Sequence, residues 1–179
     1  MNLYSTELEC PEYSKKLKIS ALPSTKELAE LTAAGFSKFV SVCGVQLSEI
    51  YAIEFPAQLI ESGFAFQDVF SDGDPLGAKI PGGSADSGIY LGVTTDGDRQ
   101  QFLQSVAAVT EGLRKAIPTC VFCHRGIGRS PVVAAGALMQ FDAVSIEQAV
   151  RSIQQLHPRS RFTSISLAAL KWLTEQARI

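Results

Sequence analysis

Cys120-Val121-Phe122-Cys123-His124-Arg125-Gly126-Ile127-Gly128-Arg129-Ser130-Pro131 joins an apolar, β-prone segment to a helix-compatible one, and its reading decides the fold. Cys120 to Phe122 has the make-up of a strand buried on both faces of a parallel sheet, while residues 131–141 are almost wholly apolar and suit a buried helix. Ser130 suits an N-cap and Pro131 the first helical turn, where its missing N–H costs nothing. The helix is therefore expected to begin immediately after Arg129, with its N-terminus directed into the loop. Gly126 and Gly128 can take backbone angles closed to other residues. Successive N–H groups can then turn inward around a phosphate-sized oxyanion, with the helix dipole behind them. Arg129 adds a planar, permanently charged guanidinium that can grip two oxygens at once.

Cys123 gives this binding loop a reactive group. The inward N–H groups, the helix N-terminus and Arg129 all favour a thiolate at its position. In-line attack by that thiolate on a bound phosphoryl group would give a phosphocysteine, which water could hydrolyse in a second step. Ser130 could hydrogen-bond the departing thiolate. The loop resembles the His-Cys-x5-Arg-Ser/Thr signature of the cysteine-dependent protein tyrosine and dual-specificity phosphatases. Where that family commonly has His before the cysteine, this chain has Phe122, and His124 follows instead. The resemblance implies Cys123 as nucleophile, Arg129 as phosphate clamp and Ser130 as the hydroxyl that assists phosphoenzyme breakdown. It places His124, Arg125, Gly126, Ile127, Gly128 and Arg129 around the substrate phosphate. It also implies a tyrosine-phosphatase-like, three-layer α/β fold with a central, mainly parallel sheet flanked by helices.

Such an enzyme takes a general acid from an upstream loop, a contribution of roughly 10²–10⁴-fold. Residues 64–70 read as a strand, and Ser71-Asp72-Gly73-Asp74-Pro75 as the turn after it, so Asp72 is the first choice and Asp74 its close neighbour. Asp96 competes: it follows the strand-like residues 90–93 and lies nearer the family's usual spacing before the cysteine. As bland alternatives, all three are ordinary turn or helix-cap aspartates.

The chain has 179 residues, 46% hydrophobic and 19% charged, which suits one soluble domain with a sizeable core. A net charge of −2 and a pI near 5.7 give no general attraction to nucleic acid or anionic membrane. The apolar run near residues 131–139 is too short to span a bilayer, and no signal peptide is legible. A reducing cytoplasmic setting is expected, with no metal or organic cofactor; the oligomeric state is not legible. Cys120 and Cys123 form a Cys-x2-Cys pair without a second ligand pair, which argues against zinc, and on a strand they point to opposite faces. Cys120 reads as a small buried apolar residue. Cys43 ends a strand expected at 39–42 and raises the idea of a protective disulfide with Cys123.

Residues 1–16 form a polar N-terminal segment, and 17–179 a single domain carrying a Gly-rich insertion at 73–97. Ser24-Thr25-Lys26-Glu27 reads as a capping box opening a helix that Gly35 closes. A further helix is expected over 56–61, another over 99–117 ended by Pro118, a second capping box at Ser145 opening a helix to Leu156, and a last amphipathic helix over 164–177 carrying Leu167, Leu170 and Trp172. Trp172 is expected in the core, and His157 before Pro158 at a helix end. The expected activity is phosphomonoester hydrolysis, on phosphotyrosine protein first or on a small phosphomonoester. Inositol phosphates or phosphoinositides are the rival substrates, with His124 and Arg125 greeting extra phosphates rather than facing solvent; an RNA 5′-phosphatase, a sulfur transferase and a noncatalytic phosphate-binding module are weaker readings.

Overall fold

The computed structural model describes residues 16–43, 58–61 and 96–176. Among them four strands form one parallel sheet in the order β1-β4-β2-β3: β1 is Leu17–Ala21, β2 Lys38–Ser41, β3 Gln58–Glu61 and β4 Thr119–Cys123. The helices are α1 (Thr25–Ala33), α2 (Asp96–Arg114), α3 (Arg129–Asp142), α4 (Ile146–Leu156) and α5 (Ser164–Gln176). The two central strands, β2 and β4, are buried at every position, as a parallel sheet covered on both faces requires.

Alternation along the strands sends side chains into two cores. Phe39, Cys43, Cys120 and Phe122 pack with Leu28 and Phe36 on the α1 side. Val40, Val42, Val121 and Cys123 join Leu17 and Ile19 on the other side, against Phe102 and Val106 of α2, Val132 to Leu138 of α3, Ile153 of α4 and Leu170 of α5. The result is the three-layer arrangement expected. At roughly 1.5–3 kcal/mol per fully buried aliphatic or aromatic side chain, these two cores supply the main driving force. Lys38 is the exception on β2: it is 1% exposed, and its Nζ donates to Glu111 Oε2 at 2.7 Å. Glu111 also accepts from Lys115 at 2.6 Å, and hydrogen bonds first from Lys115 and then from Lys38 hold its carboxyl down to about 2.

Both capping boxes form. Ser24 and Glu27 close the start of α1 reciprocally, as Ser145 and Gln148 do for α4. At the end of α1, Gly35 takes φ +92°, donating to the Thr32 carbonyl, and the Phe36 N–H reaches back to Leu31. The same pair of reverse bonds ends α2, from Ala116 to Leu113 and from Ile117 to Gly112, but there the left-handed position holds an alanine at φ +54°. The α2 helix thus stops at Arg114 instead of running to 117.

Three further expectations need correction. Residues 56–61 were expected as helix, yet Gln58–Glu61 is strand β3, paired in parallel with β2 from Lys38↔Gln58 to Ser41↔Glu61. Four residues hold barely one helical turn, so backbone pairing with a buried neighbour outweighs local preference. Strand β1 was not anticipated at all, although its burial alternates over Leu17, Lys18 and Ile19. On α5, Leu170 is buried as expected, but Leu167 is exposed and Trp172 is only half-buried, its ring 6.5 Å from Phe102 and beneath the Arg99 guanidinium. The expected strands at 64–70 and 90–93 and most of the 73–97 insertion lie outside the described residues, as does Cys10.

Candidate active site

Strand β4 ends at Cys123 in the middle of the sheet, with Ala21 of β1 opposite it on one side and the end of β2 on the other. The loop that follows therefore emerges at the carboxyl edge of a parallel sheet, between two neighbouring strand ends, where open α/β sheets place their ligand crevices. Cys123 is 0% exposed, and its Sγ accepts hydrogen bonds from the Gly126 N–H at 3.2 Å and from Ser130 Oγ at 3.3 Å.

Gly126 is required here twice over. Its φ is +68°, and a Cβ at this position would lie 2.5 Å from the backbone of Ser20 and Ala21, so the loop leans directly on β1. Gly128, expected to need the same freedom, has φ −108° and serves as the N-cap of α3. That corrects the placement of Ser130 as N-cap: it lies inside the first turn, fully buried, with its hydroxyl on the thiol instead of on a helix amide. No side chain caps α3, so the positive end of its dipole opens into the loop.

Arg129 is 4% exposed, and its Nη1 donates to the carbonyls of Val42 and Cys43, each at 3.0 Å. These carbonyls lie just past the end of β2, where the Val42 N–H in turn donates to Phe122. The guanidinium is thereby fixed by backbone from the adjacent strand. A guanidinium presents more than one donor edge, so an arginine fixed in this way suits a planar grip on an anion. His124 and Arg125 are exposed, while Gly126 is buried and Ile127 and Gly128 are half-buried.

One residue was missed by the sequence reading as part of this site. His157, the C-cap of α4, donates from Nε2 to the Gly126 carbonyl at 2.8 Å, since a carbonyl can only accept. Burial pushes its imidazole below the ordinary histidine range; the bond to Gly126 opposes that, and Arg159 and Lys18 add to the lowering. Read locally, His157-Pro158 signals only a helix end, and no local pattern marks a contact 31 residues back along the chain.

The other cysteines stand apart. Cys120 faces the α1 side, and burial pushes its thiol up to about 11, against smaller lowering by Ser20 and Lys18. Cys43 belongs to that same core while Cys123 belongs to the opposite one. Asp72 and Asp74 lie outside the described residues, and Asp96 is described only by its backbone, as the first residue of α2. No group of His, Cys, Asp and Glu suited to a metal ion occurs among the described residues.

No protein-family model matches the chain, and no curated protein matches it by sequence. Solved structures do. A leucine-rich-repeat and phosphatase-domain protein from Entamoeba histolytica superposes with a TM-score of 0.61 at 9% identity, over 92% of this chain and 89% of that one. Human DUSP28 gives 0.62 at 16% identity, over 90% and 93%. PTPMT1, solved in complex with PI(5)P, gives 0.61 at 15% identity, over 92% and 94%. At such identities the likeness is one of architecture, and the architecture of this chain is that of the tyrosine and dual-specificity phosphatases.

Proposed function

We propose that the protein hydrolyses phosphomonoesters through a phosphocysteine on Cys123, acting as a protein tyrosine or dual-specificity phosphatase in the reducing cytoplasm. The observation that carries this reading is the convergence on one sulfur of the Gly126 N–H and the Ser130 hydroxyl, with the Arg129 guanidinium anchored on the Val42 and Cys43 carbonyls at the end of the neighbouring strand. In the first step the Cys123 thiolate attacks phosphorus in line with the ester oxygen. The S–P bond forms, the P–O bond breaks, and the departing oxygen takes a proton from a carboxylic acid. In the second step water attacks phosphorus, its proton passes to the resulting carboxylate, and the S–P bond breaks. The Ser130 hydroxyl, already on Sγ, donates to the leaving thiolate. Loop amides and the Arg129 guanidinium hold the equatorial oxygens throughout.

Asp72 is assigned as the acid, with Asp96 and Asp74 as its rivals. Exposed His124 and Arg125 support a second reading, in which the substrate carries further phosphates, as an inositol phosphate or phosphoinositide does. PTPMT1, which shares the fold, was solved with such a lipid.

Hydrolysis of p-nitrophenyl phosphate under reducing conditions tests the proposal. Wild type should turn over, and Cys123→Ser should lose activity by at least about 10³-fold. The variant among Asp72→Ala, Asp74→Ala and Asp96→Ala that loses dependence on a protonated acid identifies the donor. Phosphate binding by wild type without turnover would instead mark a binding module.

A further inference from the structure

We infer that His157 is a positioning residue for the phosphate loop, and that the turn it opens, His157 to Arg161, aims the loop amides of Ile127 and Gly128 at the bound oxyanion. His157 Nε2 holds the carbonyl of Gly126 at 2.8 Å, and the Arg161 N–H holds the carbonyl of Ile127 at 2.9 Å. These are successive peptides, and every described peptide is trans. In a planar trans peptide the C=O and N–H point in opposite directions. Pulling the Gly126 carbonyl towards His157 therefore turns the Ile127 N–H the other way, and pulling the Ile127 carbonyl towards Arg161 does the same for Gly128. Two amides of the loop are thus aimed from behind by one short segment.

That segment is itself braced. The His157 N–H donates to Ile153 at the end of α4, and the His157 carbonyl accepts from the Ser160 N–H at 2.9 Å and from Ser160 Oγ at 2.7 Å. Ser160 is buried. The ring is therefore held at its backbone from both sides before it reaches the loop, an outer support of the kind that fixes site geometry. Gly126 needs it: at φ +68° and without a side chain, nothing of its own fixes the orientation of the peptide that follows.

The inference rests on the proposed function only in taking a phosphate-like dianion as the loop's guest, so its test reads binding as well as turnover. Tungstate is the probe. Its Kd should be measured by calorimetry for wild type, His157→Leu, His157→Asn and His157→Gln, beside kcat and KM for p-nitrophenyl phosphate and the melting temperature without tungstate. Glutamine can place a donor where Nε2 stands, whereas the shorter asparagine cannot. Losing the aim of about one hydrogen bond to a charged guest should weaken tungstate about tenfold in His157→Leu and His157→Asn and raise KM similarly, with a smaller change in kcat; His157→Gln should recover to within about threefold of wild type. Should His157→Leu fail to fold, the asparagine and glutamine variants carry the comparison. Asparagine binding tungstate as wild type does, or glutamine binding no better than asparagine, overturns the inference. If tungstate follows the expected order while wild type hydrolyses nothing, the positioning role stands and the hydrolase reading falls.

Discussion

Cys120 and Cys123 lie on one strand and are equally hidden from solvent, yet they meet different surroundings. Cys123 accepts two hydrogen bonds at the mouth of the loop; Cys120 packs among Phe39 and Phe122, and burial pushes its thiol up to about 11 from 9.0. Because the folded value lies above the unfolded one, the contribution of Cys120 to stability is complete below pH 9 and is lost as pH rises through 11. Urea unfolding across that range should show wild type losing up to about 3 kcal/mol more stability than Cys120→Ala. Parallel losses would mean that the thiol does not resist ionisation. At this scale the sequence was informative where geometry is local: the left-handed backbone of Gly126 and a loop that turns its amide onto Cys123 follow from residue type and spacing. Ser130 was read both as a cap and as a hydroxyl for the sulfur; the second contact forms, and the cap position falls to Gly128.

Among the elements, α1 and α2 end with the same pair of reverse hydrogen bonds but different residues at the left-handed position. Gly35 accepts φ +92° with open space about it, while Ala116 sits at φ +54° with a Cβ that disfavours it. Ala116→Gly should therefore raise stability by about 0.5–1 kcal/mol, after allowing for the greater entropy of glycine in the unfolded chain, and thermal denaturation would show it. A fall in melting temperature would show that Ala116 is relaxed where it stands. The capping boxes at Ser24 and Ser145 were legible because their bonds span three residues. Strand β3 was not, since Gln58-Leu59-Ile60-Glu61 has no distinguishing period and owes its conformation to a partner twenty residues earlier, Lys38 to Ser41. β1 offered Leu17 and Ile19 in alternation, a signal that could have been used.

Across the whole molecule, the two cores share β2 and β4, whose alternate residues enter one or the other. Neither core can melt without exposing the opposite face of the same strands. Differential scanning calorimetry should accordingly give one transition with matching calorimetric and van 't Hoff enthalpies, and two resolved transitions would separate the cores. The parallel, helix-wrapped plan was readable because strand-like and helix-like segments alternate along the chain; the order β1-β4-β2-β3 was not, because pairing is settled by which buried faces meet. One consequence concerns the making of the protein. The loop of residues 124–128 leans on Ser20 and Ala21, is tied through Arg129 to Val42 and Cys43, and is braced by His157 and Arg161. On a ribosome the first two supports emerge before Cys123 and the last one after it. A nascent chain released at residue 150 would carry Cys123, Arg129 and Ser130 and still lack the brace behind the loop, so the loop's support is completed only once the segment through Arg161 has been made.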